Sequence, residues 1–274
     1  MIGIFDSGYG GLTVLSSIRK VLATHDYLYL GDNARNPYGT RSFDVVYRYT
    51  LQGVEYLFNQ GCRLVILACN TASAKALRTI QQNDLQRIDP SRRVLGVIRP
   101  TAEIIGFLTN SRHVGIVATQ GTVQSNSYVL EIAKLFPDII VNQQPCPMWV
   151  PLIENNEFNN IGADFFIEKY LSELYTKDPL IDTIILGCTH YPLIKDKIEK
   201  ISAKIWQQQP TIVAQGDIVA HSLADYIQRH PDLDNELQIQ GKCRYLTTEN
   251  VEKFNDNARL FLKETISAQH INLN

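Results

Sequence analysis

The sequence has no apolar run long enough for a membrane, no export signal and almost no surplus of either charge. Its longest apolar runs, such as Leu64–Cys69, extend six residues, whereas a membrane span needs about 20. The N-terminus, Met-Ile-Gly-Ile-Phe, reaches Asp6 at once and offers no basic stretch leading into a long apolar one. A cytoplasmic location with reduced thiols is therefore expected. The formal net charge is −2. That balance gives a nucleic-acid backbone or an anionic membrane no reason to be the main partner. Low-complexity runs and Pro/Gly/Ser linkers are missing too, and 45% of the residues are hydrophobic, which excludes disorder as the main state. Cysteines number five, Cys62, Cys69, Cys146, Cys188 and Cys243, so at least one thiol is left over from any pairing. No Cys-x-x-Cys or His-Glu-x-x-His occurs, and Cys-x-His at Cys188 supplies only two ligands, three with Cys69. A metal site is not expected.

A chain of 274 residues can form about two domains. Short, continuously apolar runs are expected to be buried strands at Ile2–Phe5, Tyr27–Leu30, Leu64–Ala68, Val94–Ile98, Val114–Ala118, Ile139–Val141, Thr183–Gly187 and Thr211–Ala214. Stretches with helical spacing alternate with them: Leu12–Val21, Phe43–Asn59, Ala72–Gln82, Val123–Leu135, Ile161–Tyr175, Pro192–Ala203, Ile218–Gln228 and Asn250–Thr265. This alternation predicts an α/β fold with mostly parallel, doubly wound sheets. The order of elements repeats. One strand ends at Asp6 and its counterpart at Thr119; one cysteine-tipped strand ends at Cys69 and the other at Cys188. Two similar domains are expected, residues 1–97 with 210–274 and residues 98–209, related by a pseudo-twofold with the site in the cleft between them.

Ligands of open α/β sheets bind at the carboxyl ends of the strands. Gathered there are Asp6 and Ser7, Asp32 and Asn33, Cys69 to Thr71, Thr119 to Thr122, and Cys188 to His190. A thiol where a strand stops and a helix begins gains thiolate character. The competing view is that a free cysteine is a small buried hydrophobe. Packing is the expectation for Cys62, Cys146 and Cys243, whereas the matched positions of Cys69 and Cys188 argue for chemistry. His190, two residues after Cys188, can relay a proton. Gly8, Gly10 and Gly11 make a tight turn where backbone N–H groups could meet an anion, but they form neither a Walker A loop nor a dinucleotide fingerprint. Two thiols on opposite faces of one carbon suit stereoinversion: one removes the α-proton and the other returns a proton to the opposite face. Small hydroxyl and amide donors would anchor the substrate's carboxylates meanwhile.

Several motifs carry a family resemblance. They are Phe5-Asp6-Ser7-Gly8 with Gly10-Gly11, Gly31-Asp32-Asn33-Ala34-Arg35 with Pro37-Tyr38-Gly39, and Ala68-Cys69-Asn70-Thr71-Ala72-Ser73. Further along come Ala118-Thr119 with Thr122, Cys146-Pro147 with Val150-Pro151 and Glu154, and Gly187-Cys188-Thr189-His190-Tyr191-Pro192-Leu193. In these the chain resembles the glutamate racemases of the aspartate/glutamate racemase superfamily, over nearly its whole length. Tyr245–Thr248 with Phe254 also resembles that family's last strand and helix. The resemblance implies interconversion of L- and D-glutamate with no cofactor and no metal, and supply of D-glutamate for bacterial peptidoglycan. It implies that Cys69 deprotonates D-glutamate and Cys188 deprotonates L-glutamate, assisted by Asp6 and His190 respectively. It further implies substrate binding by Asp6, Ser7, Tyr38, Gly39, Asn70, Thr71, Thr119, Thr122, Thr189 and His190, with Asp32 and Glu154 as supporting carboxylates. A homodimer is expected on the same ground. The chain begins directly at its first strand, so activation by a peptidoglycan precursor is not expected. Binding to DNA gyrase, seen in some members, is left open.

Other readings remain. Related aspartate racemases typically carry Glu where this chain has His190, so histidine favours glutamate; a substrate panel separates the two. A non-catalytic binding homologue would be expected to lose Cys69, Cys188 or His190. A thiol redox protein would need its two sulfurs within disulfide reach. Two departures, Arg99 in Gly96–Pro100 and Ala214-Gln215 before Gly216-Asp217, fall outside the main chemistry.

Overall fold

The structure is a computed structural model that describes residues 1–273; Asn274, the last residue of the first expected domain, lies outside them. It divides into two compact units. The first comprises Met1–Val97 and the chain from Gly216; the second is Ile98–Gln215. The return to the first unit thus falls later than the crossing expected at residue 210.

The first unit carries a six-stranded sheet. In chain order its strands are β1 (Ile2–Asp6), β2 (Tyr27–Gly31), β3 (Leu64–Leu67), β4 (Arg93–Gly96), β9 (Cys243–Thr247) and β10 (Ala268–His270). Across the sheet the order is β10-β9-β2-β1-β3-β4, and every pairing is parallel. Helices α1 (Gly11–Val21) and α2 (Phe43–Asn59) make the first crossovers. α2 is well specified locally: Ser42 caps it by accepting from the Val45 N–H, and Val46, Val54 and Leu57 recur on its buried face. Phe5, Leu28, Leu30, Val65 and Leu67 supply the sheet side of that core. Continuous burial along β1, β2 and β3 explains why these strands read as apolar runs without alternation.

Gly53 lets α2 close on β1. A Cβ there would lie 2.2 Å from Phe5 Cε2. Gly53→Ala is expected to lose about 1–3 kcal/mol by overpacking, despite alanine's better helix propensity. Urea unfolding tests this: the midpoint should fall while the m-value stays unchanged.

The second unit carries a four-stranded sheet of β5 (His113–Ala118), β6 (Ile140–Pro145), β7 (Thr183–Gly187) and β8 (Thr211–Val213). Its order is β6-β5-β7-β8, again parallel throughout. In sequence rank that is second-first-third-fourth, the same as β2-β1-β3-β4. The order in which strands are added reverses between the first and third strands of each set. Such a switch point opens a crevice at the carboxyl edge of a sheet. The α/β class with two parallel sheets is therefore as expected.

Some local expectations fail. The helix expected at Ala72–Gln82 is instead α3 (Asn70–Lys75), a turn at Leu77–Thr79, a π-helical turn at Ile80–Asp84 and a last turn at Leu85–Ile88. Tertiary anchors override propensity here: Gln81 Nε2 donates to the Val94 carbonyl and Tyr47 Oη to Asp84 Oδ2. Strand β4 stops at Gly96, and Ile98–Leu108 is a helix. Pro100 suits its first turn, where no intrahelical N–H is needed. The helix expected at Val123–Leu135 is broken at Asn126, whose φ is 53°. Among the described residues no helix is long and apolar enough to cross a membrane.

Candidate active site

In the first unit the switch point lies between the ends of β1 and β3, which bear Asp6 and Cys69. Asp6 is fully buried, and its Oδ2 accepts from the Gly8 N–H at 2.9 Å. The next turn folds tightly over it: a Cβ on Gly11 would sit 2.6 Å from Asp6 Cβ, so the start of α1 can come this close only with glycine there. Cys69 is the N-cap of α3, and its sulfur accepts from the Ala72 N–H at 3.4 Å. The α3 N-terminus favours the thiolate over the thiol. Ser7 Oγ lies 3.4 Å from the same sulfur. Asn70 and Thr71, the next two residues, are each 2% exposed. They are buried rather than on the outer surface of the helix.

The segment after β2 completes this half. Asp32 is fully buried and accepts from Tyr38 Oη, from Arg35 Nε at 2.7 Å and from Thr248 Oγ1 at 2.9 Å. Its carboxylate is thus committed to holding the loop. Tyr38 spends its hydroxyl on Asp32, and Gly39 follows it in the same 3₁₀ turn. Sequence reasoning missed Arg35, Gln52 and Thr248 as partners here. The spacing of a cation three residues after Asp32 was a usable signal for Arg35; Thr248 is too distant along the chain to be inferred.

The second unit sets a different environment around its thiol. Thr119, at the end of β5, caps the Gln120–Gln124 helix; its Oγ1 accepts from the Thr122 N–H and lies 3.1 Å from Thr122 Oγ1. Cys188 follows β7. The helix expected at Pro192 begins as a 3₁₀ turn, Tyr191–Ile194, and becomes α-helical only at Lys195. Cys188 therefore has no α-helix N-terminus directly at its sulfur. It has His190 instead: Nδ1 is 3.7 Å from the sulfur, and Nε2 is 2.9 Å from Glu154 Oε1. Burial by itself would lower the His190 pKa, but the hydrogen bonds to Cys188 and Glu154 outweigh it and push the imidazole up to about 10. His190 is then an imidazolium at neutral pH, placed beside the sulfur. Thr189 is 5% exposed.

The other cysteines behave as packing residues. Burial pushes the Cys62 thiol up to about 12 and Cys146 well above its ordinary value. It raises Cys243 as well. Among the described residues no group of three or more His, Cys, Asp or Glu side chains could hold a metal ion.

Relatives of the same architecture define the class: the chain is an amino-acid racemase, an isomerase. It belongs to the Asp/Glu/Hydantoin racemase family, whose family model matches residues 2–215. It is 39% identical over 275 residues to the glutamate racemase of Paracoccus denitrificans, covering 97% of each chain. The crystal structure of a glutamate racemase isoform from Bacillus anthracis superposes with a TM-score of 0.89 at 32% identity, over 100% of this chain and 97% of that one. A glutamate racemase from Francisella tularensis, crystallised in complex with D-glutamate, gives 0.86 at 31% identity with the same coverage.

Proposed function

We propose that this chain interconverts L- and D-glutamate by a two-base 1,1-proton transfer, with Cys69 and Cys188 as the bases. The observation that carries the reading is the matched placement of the two thiols. Each follows the third strand of a second-first-third-fourth parallel sheet, at the edge where such sheets bind ligands. The D-glutamate complex of the Francisella relative supports the substrate.

The chemistry divides as follows. Cys69 takes the α-proton of D-glutamate, and Cys188 supplies a proton from the other face; for L-glutamate the roles reverse. Asp6 assists Cys69. His190, held by Glu154, stands beside the Cys188 sulfur and can hand on the proton. Ser7, Asn70, Thr71, Thr119, Thr122, Thr189 and the Tyr38-Gly39 backbone hold the substrate while its α-carbon flattens. Asp32 and Glu154 act as supports. No cofactor enters the scheme. By the same resemblance the enzyme is a cytoplasmic homodimer that supplies D-glutamate for peptidoglycan.

The test is incubation of the purified protein with L-glutamate in deuterium oxide without added cofactor, followed by polarimetry and by the α-proton NMR signal. Loss of optical rotation with deuterium at the α-carbon is expected. No exchange and no racemisation would sink the proposal. Faster turnover of aspartate in a parallel panel would move the assignment to the superfamily's aspartate branch.

A further inference from the structure

Tyr38, which shares a buried core cluster with Cys69, ends a chain of contacts that starts at a cation. The Arg35 guanidinium sits 4.1 Å from the centroid of the Tyr49 ring and donates from Nη1 to Gln52 Oε1 at 2.6 Å; both residues belong to α2. Its Nε bonds Asp32, and Asp32 in turn accepts from Tyr38 Oη. The Tyr38 ring is wedged between Phe5 and Tyr49, with centroids 6.3 and 5.9 Å away. Burial pushes the Tyr38 phenol well above its ordinary range, and the charges of Asp32 and Cys69 add to that. A phenol bonded to a buried carboxylate thus shares one buried core cluster with Cys69.

Other charged and titratable groups face this thiol. Asp6 comes from β1. Tyr29 comes from β2; burial raises it first, then Asp6 and Cys69, and it donates to the Gly8 carbonyl. Lys75 lies on Cys69's own helix, but its ammonium is turned to the Arg41 carbonyl at 2.7 Å and burial lowers its pKa. With Asp6 and Asp32 both carboxylates, a Cys69 thiolate adds a further negative charge to a desolvated region. Arg35 is the cation paired with Asp32.

We propose that Arg35 is a positioning residue that balances the buried Asp32 charge behind Tyr38, and thereby sets how readily Cys69 becomes a thiolate. This rests on the reading of Cys69 as a base. Arg35 does not meet the reacting atoms; it acts through Asp32 and Tyr38. Removing the guanidinium leaves Asp32 uncompensated and disfavours a thiolate. Neutralising Asp32 leaves the guanidinium uncompensated and favours one. The two changes therefore push Cys69 in opposite directions. A merely structural role, that of holding Tyr38 in place, would suffer in the same direction from both.

The experiment is iodoacetamide alkylation as a function of pH on the full chain, read at each cysteine by peptide mass spectrometry with Cys188 as internal reference. Because the thiolate is the nucleophile, the pH midpoint reports the charge balance, and the plateau rate reports access. In R35Q the Cys69 midpoint should rise by about one pH unit, which is about tenfold slower alkylation below the midpoint. In D32N it should fall. In both variants Cys188 keeps its midpoint, and R35K restores Cys69 towards the wild-type value. Midpoints that move the same way in R35Q and D32N, or do not move, overturn the proposal. If R35Q fails to fold, the sign of the shift in D32N decides alone: a fall supports the proposal, and a rise or no change overturns it. Turnover is not used, so loss of the two-base reading would appear separately, as normal racemisation by a Cys69→Ala variant.

Discussion

Cys69→Ala and Cys188→Ala are each expected to slow glutamate racemisation by about a thousandfold or more, the scale of a lost general acid–base group. That corresponds to about 4 kcal/mol of barrier. The Ser7 hydroxyl, 3.4 Å from the Cys69 sulfur, is far too weak an acid to take its place at neutral pH. The fold should hardly register either change. Each substitution removes one sulfur from a nearly buried position, 6% exposed for Cys69 and 7% for Cys188, at a cost of about 1 kcal/mol. Loss of activity without loss of the thermal transition is the expected signature.

Turnover alone cannot assign the direction of each thiol. L- and D-glutamate are mirror images and interconvert with an equilibrium constant of one. kcat/KM must then fall by the same factor in both directions whichever thiol is removed. Isotope exchange separates them. In deuterium oxide, Cys188→Ala retains Cys69 and should exchange the α-proton of D-glutamate while leaving that of L-glutamate in place; Cys69→Ala should do the reverse. Normal racemisation by either variant would end the two-base assignment. Exchange of the same enantiomer by both would end the assignment of faces.

The parts of this arrangement legible in the sequence are those where one short stretch decides the outcome. Leu64–Cys69 is a buried strand running straight into a small polar cap, so both strand and thiol could be read from six residues. Thr183–Gly187 followed by Cys188 has the same form. Helix α2 was legible because its apolar residues recur at helical spacing, to which the structure adds a serine cap. The parts that were not legible depend on residues distant in the chain. Nothing near Asp32 in the chain points to Thr248, which donates to its carboxylate. The alanine-rich stretch after Cys69 reads as one helix, and only its anchors on Val94 and Tyr47 explain the π-helical turn. Ile98–Leu108 was hidden because its apolar start continues the run of β4, and one proline had to mark the change. Glu154 shows the limit most clearly. Its family motif named it, but its 2.9 Å approach to His190, 36 residues further on, is visible only in the fold.

That contact has a pH dependence with a definite sign. His190 is raised from its ordinary 6.5 to about 10, so the folded protein holds this proton more tightly than the unfolded chain does. A raised pKa stabilises the fold fully below about pH 6.5, and the contribution disappears as pH rises towards 10. The stability difference between wild type and His190→Asn, from urea unfolding at a series of pH values, should therefore be constant in mild acid and shrink steadily across that window. Taking the difference cancels the tyrosines, lysines and thiols that do not interact with His190, which leaves His190 and its partners Cys188 and Glu154. Glu154→Gln keeps an oxygen to accept from Nε2 but removes the charge, so its window should close at a lower pH. Activity should follow the same order. With the imidazolium weakened, Glu154→Gln should racemise about tenfold to a hundredfold more slowly near pH 8, the usual cost of losing a supporting partner. His190→Asn, which has no proton to offer Cys188, should lose about a hundredfold to a thousandfold. A stability difference that stays flat from pH 6 to pH 10 would mean that His190 is neutral in the folded enzyme, and the imidazolium would have to be removed from the account of Cys188.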